Sequence, residues 1–295
     1  MRHLHHAACA AVLMLLVAAP VAAAATPPPG AATQLGAFAN EPGGISVLEQ
    51  ELGYHLSIDH IYVPWTFTPW AKRVAPDIAA GRTPLLSWSA APTTTAAAIA
   101  SGTQDAVITG AALALKAVGK TIYLRPFYEF DQPAGHPRYI GTPAEIVAAW
   151  QRLVGLFRAA GATNVKFVWC PMAFDYANGV APMFWPGAAY VDYVGADGYD
   201  FPGARWWTFG RIFTAAYAYS VAQAKPLFIA ETAANSLDAR GPAWLADAQL
   251  WVQSHPNLAA VVYFDSISPK GYDFRLFAYQ PMFLAYQPWG VKPLV

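Results

Sequence analysis

Apolar and polar positions alternate along this chain in a pattern that predicts strands and helices in turn. Short β-prone apolar runs lie at 34–38, 60–64, 84–88, 120–127, 165–170, 190–196, 225–230 and 259–265. Segments with apolar residues at helical spacing lie between them, at 45–52, 69–79, 104–118, 143–160, 208–222 and 242–253. The segment 143–160 is the clearest helix, because Thr142 is a candidate N-cap and Glu145 completes a capping box.

Eight strands that alternate with helices predict a single-domain α/β fold, the (β/α)8 or TIM barrel, over residues 34–295. An open doubly wound sheet would share the alternation. It commonly carries a glycine-rich phosphate-binding turn after its first strand, and the turn after 34–38 has none. The barrel is therefore the favoured architecture.

The N-terminus has the pattern of a secretion signal peptide at residues 1–25. Arg2 supplies a positive start, 7–17 is apolar, Pro20 interrupts it, and Ala23 and Ala25 fit a small-residue cleavage site. An uncleaved membrane anchor is the alternative, although the alanine-rich run is only weakly hydrophobic for a span. We expect a secreted protein, extracellular or periplasmic, with a flexible Pro/Ala-rich lead-in at 26–33 and no membrane association after cleavage.

Composition narrows the choice of partners. The formal net charge is zero and charged residues make up 12% of the chain, so no basic patch indicates a nucleic-acid partner. The histidines beyond the signal are spread without ligand spacing, and no G-x-S-x-G occurs; we expect no metal and no cofactor. Aromatic residues make up 14%, which weakly favours a sugar ligand. We expect a monomer.

Two glutamates carry the candidate chemistry. In the fourth predicted strand, Arg125, Phe127 and Glu129 occupy alternate positions, so strand geometry would place them on one face. Ile229 and Glu231 are related in the same way in the seventh. Both glutamates follow the carboxyl ends of strands, where barrel enzymes place their chemistry. Two carboxyls there are what acid/base work on a glycosidic bond requires.

Several stretches carry a resemblance to a known family. They are LRPFYEF at 124–130, GATNVKFVWCP at 161–171, YVDYVGADGYD at 190–200 and KPLFIAET at 225–232. In these motifs, spread in order over most of the chain, the sequence resembles glycoside hydrolase family 26, the β-mannanase family of the retaining (β/α)8 clan. The resemblance implies that Glu129 is the general acid/base and Glu231 the nucleophile. It also implies that Asp197 and Tyr199 lie near the nucleophile and the bound sugar, and that Trp169 lines the cleft floor.

The residues around the glutamates suggest how their roles divide. Arg125 points into the predicted barrel, and a buried guanidinium needs a carboxylate partner. We expect it to keep Glu231 or Asp197 ionised. Glu129, between aromatic neighbours, is expected in a more apolar setting, where burial and nearby negative charge would raise its pKa so that it can donate a proton.

Further aromatic residues are candidates for substrate contact. Trp65 and Trp88, at the ends of the second and third predicted strands, are candidate sugar platforms, with core packing as the alternative for each. Family members usually carry His where this chain has Tyr128, and Trp where it has Phe264. We expect both residues to contact the substrate and to alter which polysaccharide the protein accepts.

The predicted function is a secreted retaining glycoside hydrolase that cleaves a neutral β-linked polysaccharide with two glutamates. β-1,4-Mannan is the first choice of substrate, and β-1,3-xylan and mixed-linkage β-glucan are alternatives. A transglycosylase would share both carboxylates. A catalytically silent barrel that binds a polysaccharide is the alternative from another class. It stays possible because this chain has Tyr128 where the family usually has His.

Overall fold

Eight parallel strands form a closed barrel in which each strand pairs with its neighbours in chain order. The computed structural model describes residues 33–201 and 207–290. The strands are β1 (Gln34–Ala39), β2 (Ile58–Pro64), β3 (Thr83–Ser89), β4 (Ile122–Pro126), β5 (Val165–Trp169), β6 (Tyr193–Asp200), β7 (Leu227–Ala234) and β8 (Leu258–Asp265). The predicted (β/α)8 barrel is confirmed. The signal peptide predicted at 1–25 lies outside the described residues, as does 26–32 of the lead-in.

Helices follow the strands on the outside of the barrel. Within the described ranges they are α1 (Gly44–Leu52), α2 (Trp70–Ala79), α3 (Ala96–Ala100), α4 (Asp105–Val118), α5 (Pro143–Ala159), α6 (Ala173–Ala177), α7 (Phe209–Ala222), α8 (Gly241–Gln253) and α9 (Gln280–Tyr286). None of the helices in this part of the chain is long and apolar enough to cross a membrane.

Side chains fill the barrel interior below its open end. They are Ile58, Leu85, Tyr123, Val168, Cys170, Phe228, Ala230, Ala260 and Val262. The space is full enough that Gly195 has no room for a methyl group, because a Cβ there would lie 2.7 Å from the Cβ of Cys170. A second, larger apolar layer packs between the strands and the helices. The barrel is therefore solid, and a ligand can approach its axis at the carboxyl ends of the strands.

The backbone after β4 corrects one sequence-based prediction. The strand ends at Pro126, and Phe127 and Glu129 have φ angles of 57° and 53°, in the left-handed region. Strand alternation therefore stops, and the prediction that these two residues share the face of Arg125 by alternation is wrong. Phe127 packs outward against Trp150 at 6.1 Å, while the amide of Glu129 donates to the Cys170 carbonyl at 2.9 Å.

A second correction concerns β7. Ala196 of β6 pairs with Ile229, but the next residue, Asp197, pairs with Glu231, so Ala230 is an extra residue in the ladder. Ile229 lies in the outer apolar layer and Ala230 in the barrel interior. The prediction that Ile229 shares the face of Glu231 is therefore wrong. The bulge reverses the alternation and returns the Glu231 carboxylate to the axis.

The predicted capping box at the start of α5 is present. The Thr142 hydroxyl oxygen accepts from the amide of Glu145, and the Glu145 carboxylate accepts from the amide of Thr142 at 2.7 Å. These contacts satisfy two amides that have no partner within the helix.

Replacing Thr142 with Ala should lower the free energy of unfolding by about 1 kcal/mol, because the N-cap acceptor is lost. Urea denaturation followed by circular dichroism measures the change. Thr142→Ser keeps the hydroxyl and should lie near the parent protein. Equal losses in the two variants would contradict the capping explanation.

Candidate active site

Four strands bring polar side chains together at the open end of the barrel. β2 supplies Tyr62, β4 supplies Arg125, β6 supplies Asp197 and Tyr199, and β7 supplies Glu231. Asp197 and Tyr199 share a face of β6, as alternation predicts, because they are separated by the single residue Gly198. These residues form one buried hydrogen-bonded network rather than separate surface groups.

Arg125 lies at the centre of the network and is fully buried. Its Nη1 contacts both carboxylate oxygens of Asp197, at 2.6 and 2.5 Å, and its Nη2 pairs with Oε1 of Glu231. Its Nε donates to the hydroxyl of Ser87 at 2.8 Å. Burial opposes the positive charge, but the two carboxylates outweigh it and raise the pKa of Arg125 well above its ordinary value. The prediction that Arg125 pairs with Glu231 or Asp197 is confirmed, since it pairs with both.

Glu231 is held as an ionised carboxylate. Burial by itself would raise its pKa, but the Arg125 guanidinium and hydrogen bonds from the hydroxyls of Tyr199 and Tyr62 outweigh it and hold the pKa at about 2. The Tyr62 hydroxyl donates to Oε1 at 2.5 Å, and the Tyr199 hydroxyl donates to Oε2. Both oxygens are therefore fixed in position, and the group is charged throughout the neutral pH range.

Asp197 differs from Glu231 although both contact the same guanidinium. Burial, with the nearby charge of Glu231, raises the pKa of Asp197 to about 7 against the opposing effect of Arg125. The Cys170 thiol donates to its Oδ1 at 3.2 Å. One guanidinium cannot neutralise two carboxylates, so the repulsion between them raises the pKa of Asp197 instead of that of Glu231.

Glu129 stands at the rim of the network and is 7% exposed. Its Oε2 forms an ion pair with Nη1 of Arg138, from the segment that follows. The Tyr128 ring lies beside it, with the guanidiniums of Arg125 and Arg138 over the ring at 4.6 and 4.9 Å. The expectation of an apolar setting for Glu129 is wrong, because Arg138, in segment 132–141, places its guanidinium against the carboxylate.

One oxygen from each of Glu129, Asp197 and Glu231 lies within 4.8 Å of the others. Among the described residues, this is the group whose geometry could hold a metal ion. The guanidinium of Arg125 already pairs with two of the carboxylates, and that of Arg138 with the third. The two guanidiniums therefore offset two of the three carboxylate charges, and one negative charge remains.

The structure brings two predicted aromatic residues to the site. Tyr128 packs edge-on against Tyr62 at 5.4 Å. Phe264, at the end of β8, lies 5.9 Å from the ring of Tyr199 and stacks on Phe38 at 5.0 Å. Both border the carboxylate network, and their contact with a substrate stays a prediction.

Three predicted tryptophans lie elsewhere. Trp65 and Trp88 stack on each other at 4.3 Å and are 1% and 0% exposed, and Trp169 is also fully buried. Trp88 and Trp169 occupy outward positions of their strands and pack towards the helices. An indole without an accessible face cannot stack on a sugar. The predicted platform role of Trp65 and Trp88, and the cleft-floor position of Trp169, are therefore wrong in this structure.

Several members of the network were not predicted from the sequence. Tyr62 and His60 alternate on β2 and both point to the axis, and this alternation was a signal that could have found them. The Nε2 of His60 lies 2.6 Å from the Ser87 hydroxyl, beneath Arg125. Burial and the charge of Arg125 lower the pKa of His60 to about 3, so its ring is neutral. Arg138 had no such signal, because its position depends on a loop.

Comparison with known proteins gives one relative in sequence and several in structure. No family model matches the chain. Endoglucanase H of Acetivibrio thermocellus is 32% identical over 230 residues, which are 73% of this chain and 25% of that protein. The chain thus spans about a quarter of the length of this curated relative.

The barrel also superposes on solved structures. A GH26 β-mannanase from Bacteroides ovatus matches with a TM-score of 0.67 and 13% identity, over 89% of each chain. A modular endo-β-1,4-mannanase of glycoside hydrolase family 26 from Cellulomonas fimi matches with a TM-score of 0.66 and 14% identity, over 89% of this chain and 71% of that one. At these identities the likeness is one of fold. The two solved structures belong to glycoside hydrolase family 26, the family that the motifs resemble, and they share its (β/α)8 fold with this chain.

Proposed function

We propose that this protein is a retaining glycoside hydrolase that cleaves a β-linked polysaccharide by double displacement. The observation that carries the proposal is the closeness of Glu129, which follows β4, and Glu231, within β7: one carboxylate oxygen of each lies within 4.8 Å of the other. Retaining enzymes hold their two carboxyls about 5–5.5 Å apart, and inverting enzymes about 6.5–9.5 Å apart. This closeness supports the retaining arrangement.

In the first step, Glu231 attacks the anomeric carbon of the bound sugar. Its low pKa supports this role, because the attacking carboxylate must be ionised. The bond from the anomeric carbon to the glycosidic oxygen breaks, and Glu129 gives its proton to that oxygen. The products are a glycosyl ester on Glu231 and a free leaving chain.

In the second step, water replaces the carboxylate. Glu129, now ionised, takes a proton from the water, whose oxygen bonds to the anomeric carbon while the ester bond to Glu231 breaks. Two inversions at the same carbon restore the original configuration. Tyr62 and Tyr199 hold the two oxygens of Glu231 and so fix its line of attack.

The substrate class we propose is a neutral β-linked polysaccharide. β-1,4-Mannan is the first choice from the family resemblance, and the solved structures that share the fold include mannanases. The relative with 32% identity is an endoglucanase by name, which favours mixed-linkage or other β-glucan as the competing choice. β-1,3-Xylan is the third candidate substrate. Tyr128 lies beside the acid/base glutamate, where it can influence this choice through contact with the sugar.

Two alternatives make different predictions. A catalytically silent barrel would bind a polysaccharide without cutting it, whereas the ionised Glu231 and its paired glutamate favour turnover. A transglycosylase would use the same carboxylates and pass the glycosyl group to a sugar instead of to water. Secretion after removal of residues 1–25 belongs to the proposal as well and rests on the sequence pattern.

The first test is a polysaccharide panel of mannan, galactomannan, mixed-linkage β-glucan, β-1,3-xylan and β-1,4-xylan, with product analysis. We expect the parent protein to cut at least one polymer with retention of configuration, read by proton NMR of the first products. Glu231→Ala should reduce kcat at least 10³-fold and leave binding of the polymer intact. Glu51→Ala, an exposed glutamate of α1, is the matched control and should retain activity.

Four results would contradict the proposal. An inverted product would exclude double displacement. Full turnover by Glu231→Ala would remove the nucleophile from its role. Binding without cleavage by the parent protein would favour the silent barrel, and products longer than the substrate would favour the transglycosylase.

Removing one hydrogen bond to the nucleophile should shift the acidic limb of the pH–rate profile. Tyr199→Phe deletes the donor to Oε2 of Glu231, so the carboxylate is less stabilised and its pKa rises. A hydrogen bond to a charged group contributes about 1.5–3 kcal/mol, which corresponds to about one to two pH units. The midpoint of the acidic limb of kcat/KM should therefore move to higher pH by this amount. The profile is recorded over the pH range in which circular dichroism shows a folded protein.

Tyr219→Phe, on α7 and packed against Trp169 away from the carboxylates, is the control and should leave the profile unchanged. An acidic limb that stays in place in Tyr199→Phe, at lower overall rate, would show that Tyr199 acts by packing alone.

A further inference from the structure

The segment 132–141 follows the turn that carries Glu129 and returns to cover it. Ile140 is 5% exposed, and its carbonyl accepts from the amide of Ala96 at the start of α3, at 2.8 Å. The amide of Arg138 donates to the Nδ1 of His136 at 3.2 Å. The segment is thus anchored to α3 just after Arg138, and the backbone at Arg138 is held locally by His136, without help from the carboxylates.

The guanidinium of Arg138 has two contacts at the site. It forms the ion pair with Glu129 and lies over the ring of Tyr128. Arg125, on the same ring, is fully buried and pairs with Asp197 and Glu231. The Arg138 side chain is 35% exposed, so it is the cation of the site that can move or be replaced without emptying the barrel interior.

The charged groups that face Glu129 come from several elements. Among the described residues, the carboxylates of Asp197 on β6 and Glu231 on β7 oppose its ionisation, and the guanidiniums of Arg125 on β4 and Arg138 favour it. The hydroxyls of Tyr62 and Tyr199 and the thiol of Cys170 have pKa values raised by burial, and these groups are neutral.

Asp131, two residues beyond Glu129, faces another way. Its pKa is raised to about 8 by burial and by Asp175, and its Oδ2 accepts from the amide of Met172 at 2.7 Å. Arg138 is therefore the cation in direct contact with Glu129 within the described part of the chain.

This contact matters because the proposed reaction uses both forms of Glu129. The first step requires the protonated carboxyl, and the second requires the carboxylate. A guanidinium paired to the carboxylate stabilises only the ionised form. The contact thus works against the first step at high pH and in favour of the second step at low pH.

We propose that Arg138 is a positioning residue that biases Glu129 towards its ionised form and thereby sets the pH range of both steps. The inference rests on the proposed function, in which Glu129 is the acid/base. It places the control of acid/base ionisation on a side chain of segment 132–141, outside the buried network.

The test compares Arg138→Gln with Arg138→Lys in the full chain. With a polysaccharide that the parent protein cuts, the first step needs a proton donor, so the alkaline limb of kcat/KM reports Glu129 in its protonated form. Arg138→Gln should move this limb upward by about one pH unit, a shift at the low end for loss of an opposite charge because Arg138 is partly exposed. Arg138→Lys should lie near the parent protein.

An aryl glycoside with a good leaving group isolates the second step. Its departure needs no proton, so the acidic limb of kcat reports Glu129 in its ionised form. The midpoint of this limb should also move to higher pH in Arg138→Gln. Movement of both limbs in the same direction reports the ionisation of Glu129, first beside the charged Glu231 and then beside its neutral ester, and a merely structural role of Arg138 would not produce it.

Arg158→Gln is the matched control, because Arg158 is an exposed arginine at the C-terminal end of α5, over the ring of Tyr190. Its limbs should stay in place. Unmoved limbs in Arg138→Gln, in a protein that cuts polysaccharide through Glu231, would overturn the inference and leave the proposed function standing.

A readout without turnover completes the test. Carboxyl ¹³C NMR can follow the titration of Glu129, assigned by loss of its signal in Glu129→Gln. The midpoint should rise in Arg138→Gln relative to the parent protein, even if no panel substrate is cut. An unchanged midpoint would overturn the inference whatever the activity.

Discussion

The sharing of one guanidinium by two carboxylates in a solid barrel is the interaction on which this site depends. Arg125 is fully buried between Asp197 and Glu231, so its guanidinium finds its partners inside the protein instead of in water, and the two carboxylates share it. Removing one partner of such a set typically costs about 3–5 kcal/mol. The same arrangement keeps Glu231 ionised and leaves Asp197 with a raised pKa, so stability and chemistry have one cause.

Two backbone irregularities bring the two glutamates together at this end of the barrel. The extra residue Ala230 in β7 turns Glu231 to the axis, and left-handed turns at Phe127 and Glu129 lift the second glutamate to the rim. Regular strands would have directed these side chains differently. Departures from ideal geometry often lie at functional sites, where the surrounding structure compensates for them. Here they set the distance between the two glutamates.

Much of the architecture could be predicted from sequence because it depends on periodic patterns. The alternation of apolar strands and amphipathic helices predicted the barrel, and Thr142 and Glu145 predicted the start of α5. The partner of Arg125 followed from the cost of burying an unpaired charge. The bulge at Ala230 and the contact of Arg138 had no periodic signal, since they depend on pairing register and loop path. Trp88 and Trp169 were misplaced because a tryptophan fits a core as well as a cleft.

The site has a buried part that fixes Glu231 and a rim in which Arg138 and Tyr128 surround Glu129. The proposed mechanism requires that Glu231 form a covalent bond to the sugar. Activated 2-deoxy-2-fluoro glucosides and mannosides trap such an ester, and mass spectrometry of the digested protein locates it. We expect one added fluoroglycosyl group on the peptide that contains Glu231. A label on another residue, or none while the substrate is consumed with inversion, would exclude Glu231 as the nucleophile.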